Sequence, residues 1–290
     1  MLNRLFGNYL VEKGKLTLEQ LNTLLPVGKQ LQADVEVISI VTKAMTPVVV
    51  QELLESIAGK SEQFGEAAVN AGIITDYKLD DILAHRSNDF MKFLQLLLNR
   101  GYFSYEDINQ ELNAFQQKNE FSDEQLNALI HDDLEQCIHL FVPIEVPELK
   151  ELTKTLVQTF RRLIDRDVYL EKAYNTSSIQ LDKCASQTII GDLRIKVYIS
   201  APGDELLAIA NHFTGDTYDT VTEDALDSVG EFINCVNGLF ATNMSYEGMS
   251  LDMNSPEYSN EGPFISNETL YCIPMHVNGS SLKVVFEVYQ

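Results

Sequence analysis

The chain has no basic block. Lys and Arg number 21 against 43 Asp and Glu, a formal net charge of −22. Both halves share the deficit: residues 1–140 hold 11 basic and 21 acidic side chains, and residues 141–290 hold 10 and 22. Nucleic acids and anionic membranes are gripped by clustered cations, so DNA, RNA and an anionic bilayer are excluded as partners. Long apolar runs are missing too. Nothing approaches ~18 consecutive hydrophobic residues, which removes a membrane span. The start, MLNRLFGNYLVEKGK, has no apolar h-region and no small-residue cleavage site. Export is not expected, and a cytoplasmic location is. The four cysteines, Cys137, Cys184, Cys235 and Cys272, lie far apart with no C-x-x-C pair, so neither a disulfide frame nor a zinc site is indicated. His131 and His139 stand near Asp132, Asp133 and Glu135 without forming H-E-x-x-H, and no metal or cofactor of the chain's own is expected. Absent as well are G-x-S-x-G and G-x-x-x-x-G-K-[ST], the marks of a serine-hydrolase elbow and a P-loop.

What is present is an ordinary globular composition, 45% hydrophobic and 22% charged over 290 residues, enough for two domains. The first 140 residues contain a repeat. FGNYLVEKGKLTLEQLNTLL (6–25) aligns with FGEAAVNAGIITDYKLDDIL (64–83), so that Phe6/Phe64, Gly7/Gly65, Gly14/Gly72, Leu16/Ile74, Thr17/Thr75, Leu21/Leu79 and Leu25/Leu83 coincide. Half the offset also recurs, with Gly101, Phe103, Ser104, Ile108 and Leu112 in the expected places and a worn copy around Met45, Val50 and Leu54. A further echo is FSDEQLNALI at 121–130. Each unit reads as a short helix, a glycine turn, a Thr or Ser cap and a second helix. Thr17, Thr75, Ser104 and Ser122 each precede an acidic first turn and an i, i+4 apolar pair, which suits an N-cap. Units this small must stack to bury their faces.

This repeat resembles the N-terminal region of GspE-type secretion and pilus ATPases, whose tandem units carry L-G-x-x-L-V-x-x-G-L-I. In the MshE-type branch a tandem pair binds cyclic di-GMP through motifs opening on Arg-Leu-Gly and closing on Gln. Here the opening triplets are Leu5-Phe6-Gly7 and Gln63-Phe64-Gly65, the closing positions are Gly28 and Arg86, and Arg4 is one residue out of register. The scaffold matches while most nucleotide-contacting side chains do not. A helical interaction or spacer array is the expectation, and a cyclic di-GMP-responsive regulator is an alternative.

Two prolines in FVPIEVPELK mark a linker at 141–150 between a helical domain over 1–140 and a second domain over 151–290. The second domain opens on a helical stretch at 148–164. Strand-like segments follow at 187–190, 193–200, 249–253, 269–277 and 282–288, the last two joined by Asn278-Gly279-Ser280-Ser281, a hairpin signal. Helices are expected near 205–212 and 222–242. The fold class is α+β: an all-α repeat domain, then a mainly antiparallel sheet with flanking helices.

On a helical wheel the 222–242 segment puts Ala225, Leu226, Val229, Phe232, Ile233, Val236, Leu239 and Phe240 in one arc, a core-facing stripe. Opposite lie Asp224, Asp227, Glu231, Asn234 and Gly238. Glu231 and Asn234 are i, i+3 neighbours projecting from one turn. Helix interiors disfavour Gly and Asn. With Gly230 beside them, their presence suggests that something approaches this face closely. Cys235 sits on the shoulder of the wheel with no sequence-adjacent His, Lys or Arg to activate it, and reads as structural.

The run Asp227-Ser-Val-Gly-Glu231-Phe-Ile-Asn234-Cys-Val-Asn-Gly238, with Pro256 following Asn234 by 22 positions, is similar to the signature of the CheX/CheC/FliY chemotaxis phosphatases. The likeness extends over about 148–290, and a single copy of the motif is nearest to CheX. The resemblance implies a phosphatase for the aspartyl phosphate of a CheY-like receiver. Asn234 would orient the attacking water and Glu231 would pair with the receiver's lysine. Asp227 and Gly238 would be flanking partner contacts, and Pro256 would shape the neighbouring strand. Mg²⁺ would arrive with the phosphorylated receiver, and a homodimer through a sheet edge is implied too. A non-catalytic receiver-binding or dimerisation module on the same scaffold is the other alternative.

Overall fold

The computed structural model describes residues 1–25, 31–59, 63–142, 146–259 and 262–289. Gly28 and part of the 141–150 linker lie outside them. The chain divides into two compact units, Leu2–Asp133 and the residues from Leu134 onward.

The first unit is helical: α1 (Leu2–Glu12), α2 (Leu18–Leu24), α3 (Val35–Val41), α4 (Pro47–Ile57), α5 (Phe64–Asn70), α6 (Asp76–Ala84), α7 (Asp89–Asn99), α8 (Tyr105–Lys118) and α9 (Asp123–Ile130). Thr17, Thr75, Ser104 and Ser122 each accept a hydrogen bond from the third backbone N–H of the helix they precede, satisfying one donor that the first turn cannot. Gly14, Gly72 and Gly101 take positive φ of 68–69° at the turns before three of these caps. A Cβ on Gly7 would stand 2.3 Å from Leu21 Cδ1, and one on Gly65 would stand 2.7 Å from Leu79 Cδ1. The same leucine-over-glycine approach thus closes α1 on α2 and α5 on α6. The core gathers around α7, whose Phe90, Met91, Phe93, Leu94 and Leu97 are buried, with Phe6 edge-on to Phe90 and Phe115. Arg86 donates through Nε to the Ala33 carbonyl.

The second unit begins with α10 (Leu134–Phe141) and α11 (Pro147–Leu163), followed by β1 (Tyr169–Leu170), β2 (Tyr174–Leu181), β3 (Lys183–Gly191) and β4 (Ile195–Ala201). Then come α12 (Leu207–Thr214), α13 (Glu223–Tyr246), β5 (Leu251–Met253), β6 (Glu257–Ser259), β7 (Gly262–Val277) and β8 (Ser280–Val288). The sheet runs β1-β7-β8-β4-β3-β5, with β2 also on β7 and β6 also on β3. Every pairing is antiparallel. Mixed helix and antiparallel sheet is the fold class that the hydrophobic patterning indicates. Asn278 and Gly279, at φ 49° and 82°, make the two-residue turn between β7 and β8.

One sheet face packs on helices. Phe232 of α13 meets Phe160 of α11 at 4.6 Å and Phe213 of α12 at 5.7 Å between ring centroids. The other face holds Leu181, Cys184, Tyr198, Leu270, Cys272 and Val285, covered in part by Ile179 and Phe264 from the β2–β7 ribbon. Glu287 is buried there and accepts hydrogen bonds from Tyr198 and Tyr289 at 2.7 Å and from Ser266 at 2.5 Å. Burial alone would push its carboxyl up. The three hydroxyl donors and Lys196 outweigh burial and hold it below the usual carboxylate range. A carboxylate with a depressed folded pKa stabilises the fold fully above the unfolded value, about pH 4.3, and that contribution is lost as pH falls through the folded pKa. Glu287→Gln should therefore flatten the acid limb of the unfolding midpoint in urea by up to one proton's worth. An unchanged limb would show that Glu287 does not carry it.

Candidate functional site

The site is built on α13. Thr222 caps it, accepting from the Ala225 N–H, and Glu223 and Asp224 place negative charge in its first turn, where the helix dipole favours it. Ala225, Leu226, Val229, Phe232, Ile233, Val236 and Phe240 are buried on the sheet side, as the wheel requires. Leu239 departs from that expectation and is 43% exposed. It stands at the edge of the apolar arc, and the buried arc is shifted to the opposite flank.

That flank is covered by the segment after β5. A Cβ on Gly230 would come within 2.9 Å of both Pro256 Cβ and Tyr258 Cε1. Gly230 is thus buried under residues 256–258 rather than on the open face, and the close approach its presence suggests is made by the chain's own segment. Its missing side chain lets residues 256–258 lie against the helix. Pro256 sits beside α13 at this point, and Tyr258 reaches on to donate to Asp227 Oδ1 at 2.5 Å. Burial, the hydrogen bond to Asp227 and the charges of Asp227 and Glu231 push the Tyr258 phenol up to about 12, so at neutral pH it is a donor.

The remaining candidates lie next to that flank, on the solvent-facing side of the helix. Asp227 and Glu231 are exposed, while Asn234 and Gly238 are half-buried. Glu231 and Asn234 leave the helix three residues apart. No atom outside its local helix lies within 4 Å of where a Cβ on Gly238 would be, so no internal contact among the described residues demands glycine there. The open flank of α13 near Asp227 is a shallow depression lined by Glu223, Asp224, Leu226, Asp227, Tyr258 and Ser259. It is acidic and suits a cationic group of a partner rather than an anion.

Asn234 has an anchor that the wheel could not reveal. Gln187 of β3 donates through Nε2 to Asn234 Oδ1 at 2.8 Å and to the Asn254 carbonyl at 2.9 Å, and its Oε1 accepts from Asn237 Nδ2 at 2.8 Å. Gln187 and Asn237 are buried. These two residues and Tyr258 are the parts of the site that sequence reasoning missed. The available signal was a glutamine among apolar neighbours in a strand and a third amide, Asn237, three residues past Asn234.

An exposed carboxylate beside an oriented carboxamide can grip a cation and hold a water, because the amide oxygen has a second lone pair beyond the one Gln187 uses.

Residues 184–276 match the family model of the chemotaxis phosphatase CheX. No curated protein matches the chain. Among solved structures, chemotaxis protein CheX from Desulfovibrio desulfuricans is 17% identical, covering 50% of this chain and 100% of its own, with a TM-score of 0.44. A CheC-like superfamily protein from Shewanella sp. PV-4 is 16% identical, covering 51% and 100%, with a TM-score of 0.45. A chain in the CheX–CheY–BeF3–Mg²⁺ complex from Borrelia burgdorferi is 14% identical, covering 50% and 100%, with a TM-score of 0.40. The C-terminal half of this protein thus carries a CheX-like domain at residues 184–276, and CheX is a family of chemotaxis phosphatases.

Proposed function

We propose that the C-terminal unit hydrolyses the aspartyl phosphate of a CheY-like receiver. What carries this reading is the pair Glu231 and Asn234, three residues apart on the open side of α13 and inside the segment that matches the CheX family model. Glu231 engages the lysine beside the receiver's acyl phosphate. Asn234 holds one water in line with the phosphorus, where a carboxylate would be repelled. The water oxygen bonds to phosphorus as the aspartyl oxygen leaves with the P–O electron pair, and the water's proton passes to the departing phosphate. The leaving carboxylate is a weak base and needs no acid, so an amide and a docking carboxylate suffice. The receiver supplies the Mg²⁺. Asp227, tied to Tyr258, and Gly238 flank the contact. The helical unit locates or regulates the activity, and the C-terminal unit pairs with a second copy.

The test is loss of label from phosphorylated receivers mixed with the full chain. No acceleration with any receiver of the same cell removes the reading. Receiver binding without turnover, insensitive to Asn234→Ala, would leave a binding module. Glu231→Ala should raise KM for the phosphorylated receiver at least about tenfold, because it leaves the receiver's lysine unpaired in the contact. An unchanged KM dismisses the ion pair.

A further inference from the structure

We infer that Gln187 is a positioning residue for Asn234, an inference that rests on the phosphatase reading of that side chain. Gln187 occupies a place where hydrocarbon is the rule. On β3 it lies between Ala185 and Ile189 on the face turned to α13, and the three are 1%, 0% and 0% exposed respectively. An amide buried there is costly unless its two hydrogens and its carbonyl are all paired. They are paired, with Asn254, Asn234 and Asn237.

The order in which those bonds are dictated matters. The Asn254 partner is a backbone carbonyl, an acceptor that cannot turn round. It requires the NH₂ end of Gln187 to point its way, so Oε1 must face Asn237 and the second Nε2 hydrogen must face Asn234. Asn237 complies by offering Nδ2, although this leaves its buried Oδ1 without a hydrogen-bond partner among the described residues. Asn234 complies by offering Oδ1. The terminal torsion of an asparagine on a helix surface is otherwise broad and nearly two-fold. Here a main-chain carbonyl two links away selects one orientation before any receiver arrives. Oδ1 is thereby fixed with one lone pair left for the attacking water, the kind of preorganisation that avoids rearrangement at the moment of reaction.

The experiment uses the full chain and Gln187→Met, which keeps the length of the side chain and removes its donors. In the wild type the Asn234 side-chain NH₂ should show an ¹⁵N order parameter near that of rigid backbone, about 0.85, and in Gln187→Met it should fall below about 0.6. In receiver dephosphorylation kcat should drop roughly 10- to 100-fold with KM unchanged. A rise in KM at constant kcat, or an Asn234 amide as ordered in Gln187→Met as in the wild type, overturns the inference. A mobile Asn234 amide in the wild type overturns it as well, and that measurement stands even where the methionine variant fails to fold. The relaxation readout needs no receiver. Failure of the phosphatase reading would appear as a wild type inert toward every receiver, whatever the amide does.

Discussion

Asn234→Ala is expected to slow receiver dephosphorylation by about 100-fold or more, in line with removal of a single preorganised group at a reacting centre. On the proposed roles, with Asn234 holding the water for the transition state and Glu231 carrying docking, the loss should fall on kcat. Stability should fall modestly, by less than in Gly230→Leu. Alanine removes one acceptor from Gln187 Nε2, which keeps its bond to the Asn254 carbonyl. An unpaired buried N–H costs about 1–3 kcal/mol, and the gain in helix propensity from Asn to Ala offsets a few tenths of that. Asn234→Asp makes a sharper comparison. It preserves shape and the bond from Gln187 but sets a negative charge beside a phosphoryl group, so it should be as poor as alanine. A fast aspartate variant would show that Asn234 works as a base or a spacer and not as a neutral holder of water. An alanine variant as fast as wild type would move the chemistry off this helix altogether.

Much of this arrangement is legible in the residues because it rests on local rules. The caps at Thr17, Thr75, Ser104 and Ser122 were readable since a hydroxyl followed by an acidic turn has few other uses. The hairpin at Asn278-Gly279 was readable because positive φ suits few residues. What local pattern cannot supply is the neighbour. Strand β2, YNTSSIQL, is polar along most of its length because it lies on the outside of β7, so it gave no apolar alternation. Strands β1 and β6 are two and three residues long and exist through their partners. On α13 the wheel located the open face but misjudged the flanks. Gly230 and Asn237 stand roughly 20–40° beyond the Leu226 edge of the apolar arc and are nonetheless buried, because Pro256, Tyr258 and Gln187 cover them from distant parts of the chain. Leu239 at the opposite edge gains no such cover. Glu231 and Asn234 could be picked out on the helix, whereas the grip that orients Asn234 could not.

The glycine on the covered flank gives the largest expected effect on stability. Gly230→Leu must drive a branched side chain into Pro256 Cβ and the Tyr258 ring, both already within 2.9 Å of a bare Cβ. Proline cannot fold away, so the segment from Asn254 to Ser259 has to lift from α13. Overpacking of this kind costs about 1–3 kcal/mol or more. For a unit of this size that corresponds to a fall in Tm of roughly 2–4 °C per kcal/mol. Alanine is a weaker probe, because the clash of its single methyl is small enough for the gain of about 1 kcal/mol in helix propensity over glycine to mask it. The leucine variant should also lose activity beyond its loss of stability. Lifting the segment withdraws the Asn254 carbonyl that sets the direction of Gln187, and it breaks the Tyr258–Asp227 bond. At a temperature where the variant is still folded, kcat should therefore fall toward that of Gln187→Met. A Gly230→Leu protein with wild-type Tm would mean that residues 256–258 do not rest on the helix. One with lowered Tm but wild-type kcat would separate the packing of this flank from the orientation of Asn234.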